Sequence, residues 1–194
     1  MRSRLLFVAL GNPGAGYRGT RHNVGFDWLD RVAEEYSLQK NFKEKFEAHW
    51  LEFEHASREI HFLKPQTYMN LSGKSLGLWK KKFQADFEIR VILDDIDLPL
   101  GRVKLTATGR DAGHRGMRSL IQVMGTPDIP RMKIGVGRPT SDSEAKDHVL
   151  ESFNPDEKKV MNQVYQTAKE HFNILCESSL SEAMNQINGW RASV

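Results

Sequence analysis

The chain has 194 residues, 39% of them hydrophobic and 27% charged, the make-up of an ordinary globular protein, and at that length one well-packed domain spanning 1–194 is the expectation. No window approaches the ~20 consecutive apolar residues of a membrane helix, and residues 1–10 lack the long apolar stretch and cleavage site of a secretory signal, so a cytoplasmic protein with no membrane partner is expected. Lys and Arg outnumber Asp and Glu by 28 to 25, a mild basic excess that suits an anionic partner without requiring one.

Leu5 to Leu10 is a continuous apolar run halted by Gly11-Asn12-Pro13-Gly14, which predicts a buried strand and a tight loop. From Asn23 the period changes. Val24, Trp28, Leu29, Val32, Ala33 and Tyr36 share one helical face, placing His22 at a helix entrance. Phe46, Ala48, Trp50 and Phe53 hint at a strand, Ile60 to Leu63 makes another, and His55-Ala56-Ser57-Arg58 is a plausible hairpin turn between them. Pro65 ends that strand, and Asn70 to Lys82 reads as a helix with Leu71, Leu78 and Trp79 inward. Its Lys80-Lys81-Lys82 run reads as a solvated face.

Val91-Ile92-Leu93 is a short buried strand running into Asp94-Asp95-Ile96-Asp97. Strands at Val103 to Leu105 and Met132 to Val136 follow, separated by a glycine-bearing loop and a helix from about Met117 to Met124. Thr140 to Ser143 reads as a mobile polar loop. Asn154-Pro155-Asp156-Glu157 is a helix start with a cap, a first-position proline and acids facing the positive end of the dipole. Ser179 with Glu182 predicts a second capping box, and Gly189 a helix end. Cys176, the only cysteine, excludes a disulfide framework, a Cys-X-X-Cys redox pair and a multi-thiolate zinc site, and reads as packing. Strands interleaved with helices, two of the strands hairpin-joined, predict a single α/β domain with a twisted mixed sheet flanked by helices on both faces.

Gly14-Ala15-Gly16-Tyr17-Arg18-Gly19 spells a dinucleotide fingerprint. That motif requires a helix starting within the glycines and an acid ending the next parallel strand, whereas here helical periodicity begins at Asn23 and a hairpin follows, so a dinucleotide cofactor is rejected. Asn12, Asn23 and Asn70 border predicted elements near the carboxyl ends of strands, where α/β sheets place ligand crevices; Asn23 reads best as a turn or cap residue. At a helix N-terminus the local positive potential disfavours a charged His22 and keeps a basic nitrogen free near pH 7. Asp94, Asp95 and Asp97 leave three readings open: a Mg²⁺ site, ranked last for want of a phosphate-cradling loop, caps for the Pro99-Leu100-Gly101 turn, or a carboxylate that orients a histidine. Neither Ser72 nor Cys176 shows the adjacent base a nucleophile needs.

These motifs resemble bacterial peptidyl-tRNA hydrolases along almost the whole chain. The resemblance rests on Gly11-Asn12-Pro13-Gly14, Tyr17 and Thr20-Arg21-His22-Asn23; on Pro65, Thr67, Met69-Asn70 and Ser72-Gly73; on Asp94 to Pro99; on Gly113-His114 with Gly116; and on Ile134 to Pro139. It implies hydrolysis of the ester joining a peptide to the 3′-terminal ribose of tRNA, by a monomer that needs neither metal nor cofactor and binds the acceptor arm and 3′ end. It implies His22 as general base, Asp94 as its orienter and Asn12 and Asn70 as hydrogen-bonding groups for substrate and water. Tyr17, Met69, His114 and Arg115 would contact substrate, and Lys104 and Lys133, with Arg131 nearby, would contact tRNA phosphates. A non-catalytic RNA-binding module on the same scaffold is the alternative, disfavoured by the intact His22, Asp94 and Asn70. The chain departs from the family pattern at Arg115, where asparagine is usual, at Thr106 in place of a lysine, and at Lys133 in place of an arginine.

Overall fold

A computed structural model describes residues 4–139 and 145–193. The predicted apolar runs, with one further charged strand, become a seven-stranded sheet of order β2-β3-β4-β1-β5-β7-β6: β1 Arg4–Ala9, β2 Lys43–Lys45, β3 Ala48–His55, β4 Arg58–Pro65, β5 Glu88–Asp95, β6 Val103–Thr106 and β7 Arg131–Gly135. The central pairs β4/β1, β1/β5 and β5/β7 are parallel, while β2/β3, β3/β4 and β6/β7 are antiparallel, so the sheet is mixed as expected. Alternation along β1 divides the core in two. Leu5, Phe7 and Ala9 face one hydrophobic cluster, and Leu6, Val8 and Leu10 the other.

The first cluster is closed by α1 (Val24–Glu35), α4 (Pro155–Gln166), α5 (Ala168–Glu177) and α6 (Leu180–Gly189); the second by α2 (Ser72–Phe83) and α3 (Arg115–Met124). Both predicted capping boxes form. Asn154 accepts from Glu157 N and Ser179 from Glu182 N, with each glutamate reaching back to the cap. Cys176 is buried in the first cluster, and desolvation pushes its thiol up to about 12.

Three expectations need correction or completion. Leu71 and Leu78 are 49% and 39% exposed; α2 buries Trp79 as expected, but beside it Ser72, Gly73, Ser75 and Leu76 rather than the two leucines. A side chain at Gly73 would strike the backbone of Ser119, whose hydroxyl accepts the Gly73 N–H at 2.9 Å, so close helix packing outweighs leucine periodicity here. Strand β2 carries only Lys43, Glu44 and Lys45, all exposed, and gives no apolar signal; it is a charged edge. The β3–β4 hairpin turns through Ala56 and Ser57, both at positive φ (50° and 60°), the conformation of a tight I′ turn without its usual glycine. The loop expected at Thr140 to Ser143 lies outside the described residues.

Candidate active site

Because β4, β1 and β5 run parallel, the segments that follow them emerge at one end of the sheet, and that end is hollowed into a cleft of about 540 Å³. Asn12 enters from the loop after β1, Met69 and Asn70 from the turn after β4, and Asp94 from the end of β5. His22 is brought in by the single turn Arg21–Asn23 ahead of α1, and His114 and Arg115 by the start of α3. Tyr17 and Lys133 complete the predicted set in the wall. Lys104 stands outside it, exposed on the neighbouring edge strand.

Asp94 is 4% exposed and is the hub. Its Oδ1 accepts from His22 Nδ1 at 2.8 Å and from His114 Nε2 at 3.0 Å, and the two imidazole centroids are 4.9 Å apart. Burial alone would favour the neutral acid, yet the histidines hold the carboxyl well below the usual carboxylate range. For His22, burial pulls the imidazolium down and Asp94 pulls it up, with Arg115 opposing; the aspartate prevails and His22 sits above its ordinary value. Of the two opposing influences the sequence offered, a helix-end potential and a carboxylate that orients the histidine, the buried carboxylate at hydrogen-bond distance prevails. With Nδ1–H committed to Asp94, the basic Nε2 is left for the cleft.

His114 was expected to contact substrate. It instead caps α3 with its ring: Nδ1 accepts from Met117 N at 3.2 Å, which leaves the proton on Nε2, where it is donated to Asp94. Both ring nitrogens are spent. Its motif gives no warning, since a histidine before a helix carries no mark of which carboxylate it meets.

Asn12 is buried and clamped. Its backbone N–H donates to Asn23 Oδ1 at 2.8 Å, its carbonyl accepts from Asn23 Nδ2 at 3.0 Å, and its own Oδ1 accepts from Met69 N at 2.9 Å. Asn12 therefore keeps its side-chain N–H groups for the cleft, and Asn23, read as a turn residue, is the brace that presents it. Asn70 is exposed beside it. Met69 is buried against Gly116, where any Cβ would come within 2.4 Å of its sulfur; that glycine seats the floor of the cleft.

The three aspartates after β5 separate. Asp94 takes the histidines, Asp95 pairs with Lys133 at 2.8 Å and accepts from Asp97 N, and Asp97 pairs with Arg138. Lys104 and Lys133 are direct cross-strand partners on one face of β6 and β7, and Asp95, paired with Lys133, offsets the repulsion between these like charges. Arg131 is corrected. It is 1% exposed, and its guanidinium donates to the carbonyls of Ile129, Arg110 and Pro127, so it braces the loops rather than waiting for a phosphate.

Among the described residues two clusters bring metal-ligand atoms within 4.8 Å of one another: His22, Asp94 and His114, and, on another part of the sheet, Glu52, Glu59 and His61. Neither suits a cation. His114 Nε2 must keep its proton for the reason just given, and His61 Nδ1 accepts both indole N–H groups, from Trp50 at 3.3 Å and Trp79 at 3.1 Å, so its Nε2 is likewise the protonated one and donates to Glu59.

The fold and the cleft define a single-domain α/β enzyme with a histidine–aspartate pair set in a cleft at the carboxyl end of a mixed sheet. The family model for peptidyl-tRNA hydrolase matches residues 6–193. Peptidyl-tRNA hydrolases of Clostridium novyi and Rickettsia prowazekii are 39% and 40% identical, over 96% and 94% of this chain and 99% of each relative. A crystal structure of the Acinetobacter baumannii peptidyl-tRNA hydrolase superposes with a TM-score of 0.90 at 31% identity, covering 99% of this chain and 97% of that one. The chain belongs to the peptidyl-tRNA hydrolase family.

Proposed function

We propose that the cleft hydrolyses the ester between a peptide and the 3′-terminal ribose of tRNA by general-base catalysis, with His22 as the base. Asp94 holds the His22 Nδ1–H, and Nε2 takes a proton from water as the oxygen attacks the ester carbonyl. The tetrahedral intermediate then collapses, the ribose oxygen leaves, and the proton on Nε2 passes to it. A ribose hydroxyl leaves far more readily than an amine, so no covalent nucleophile is required, and general-base assistance of about 10²–10⁴-fold together with positioning suffices. The Asn12 amide supplies a donor for the ester carbonyl or the peptide group next to it, and Asn70 lies exposed in the same wall for the substrate and the attacking water. Tyr17 and Met69 bound the space in which the 3′ end lies.

The adjacent Lys104 and Lys133 are the contacts for acceptor-arm phosphates, positioning the tRNA without reading its sequence. On this reading the enzyme acts as a cytoplasmic monomer, and the mass of a single chain is the result expected in solution; among the described residues no helix is long and apolar enough to cross a membrane. The observation that carries the reading is the 2.8 Å contact between His22 and Asp94 within an open cleft. Release of acyl-amino acid from N-acetyl-aminoacyl-tRNA tests it: turnover is expected, and binding without release would make the chain an RNA-binding module instead.

A further inference from the structure

Arg115 opens α3, in whose first turn no acidic residue stands and where the exposed backbone N–H groups already create a positive potential. A cation is poorly placed there unless something negative or polar comes to meet it. The neighbouring acids are engaged elsewhere: Asp94 with two histidines, Asp95 with Lys133, Asp97 with Arg138 and Asp111 with Arg118. Among the described residues no carboxylate is bonded to Arg115. Its side chain is exposed, lines the cleft, and stands near enough to His22 that its charge opposes protonation of the imidazole.

On the reading that this cleft cleaves the peptidyl ester, we propose that Arg115 is a specificity-determining residue: its guanidinium, set in the cleft with His22 and bonded to no anion among the described residues, repels an ester whose adjacent nitrogen is a protonated amine and admits one whose nitrogen is an uncharged amide. The two substrates differ by a unit charge a few bonds from the carbonyl that His22 serves. In a cleft partly shielded from water a like charge at that range is discriminated strongly, whereas an amide brings no charge to repel and can accept a hydrogen bond from the same guanidinium. Rejection by a fixed cation is a repulsive device, independent of how well the asparagines fit the correct substrate.

The test is kcat/KM for N-acetyl-aminoacyl-tRNA and for the same tRNA with a free amine, each corrected for spontaneous hydrolysis, at pH 6 and pH 8.5. These values bracket the α-amino titration, ordinarily at about 7.7–8.0. Protonation of His22 slows both substrates alike, so it cancels in the ratio. In Arg115→Gln the preference for the blocked substrate should fall about tenfold at pH 6 and little at pH 8.5, while Arg115→Lys should retain it. Arg110→Gln, removing another cation from the same cleft, should change the ratio less. An unchanged ratio in Arg115→Gln, an equal fall at both pH values, or an equal fall in Arg110→Gln overturns the assignment. If the unaltered chain released neither product, the hydrolysis reading would fall instead, so the two failures are distinguishable.

Discussion

His114 donates its Nε2–H to the same Asp94 oxygen that accepts from His22, and it can do so only as the neutral tautomer because its Nδ1 is occupied by the Met117 amide. The carboxylate is thereby held from two sides, one by a ring free to exchange protons with the cleft and one by a ring that is not. His114 is a positioning residue in this arrangement. His114→Gln should lower kcat about tenfold with little change in KM. It should also move the acidic limb of the pH–rate profile upward, because a carboxylate deprived of one donor binds the His22 proton more tightly. A merely structural role would leave that limb in place.

His22→Ala should reduce turnover by about 10²–10⁴-fold while tRNA affinity stays near normal. In the unaltered enzyme the rate should rise with pH through a midpoint above 6.5, since His22 is raised from that ordinary value. Asp94→Asn should lower the rate and shift the midpoint downward, as the imidazolium loses its counter-charge while burial and Arg115 continue to oppose it. Retention of near-normal turnover by His22→Ala would falsify the general-base assignment.

Lys104 and Arg131, grouped in the sequence as tRNA contacts, should behave oppositely. Lys104→Ala should weaken tRNA binding and flatten the dependence of log affinity on log salt by about one unit, leaving the melting temperature unchanged. Arg131→Met orphans three carbonyls and should cost about 2–4 kcal/mol in denaturant unfolding, with no change in the salt slope.

Asp27, on α1 away from the cleft, is pushed up to about 6 by burial and by Asp30, against the opposing pull of Lys64 and the Tyr165 hydroxyl. An acid whose native value exceeds its unfolded value of 3.8 binds more protons in the native state. Its contribution to stability is therefore lost as pH rises from about 4 to about 6 and does not return. Asp27→Asn should stabilise the protein by about 2–3 kcal/mol at pH 8 and by almost nothing at pH 4, measured by urea unfolding at both values.

Much was legible in the chain because it is written in local chemistry. The apolar run of β1, the helical period of α1, the Asn154 and Ser179 caps and the break before Asn23 that removes the dinucleotide reading all depend on residues within a turn or two of one another. His22 and Asp94 could be singled out because each adjoins a recognisable element end, and the order of several short motifs pointed to one family. What the one-dimensional record could not carry is which distant groups share a hydrogen bond. Asp94 is 72 residues from His22 and 20 from His114, and a donor–acceptor geometry of about 3 Å is set by strand order and packing, not by spacing along the chain. The same holds for Arg131, whose buried carbonyl partners are invisible to composition, for Leu71 and Leu78, displaced outward because Gly73 lets α2 approach α3, and for the meeting of Lys104 with Lys133 across β6 and β7. Local propensity writes the elements; long-range closure alone decides which polar atoms are spent on holding the fold and which are left for chemistry.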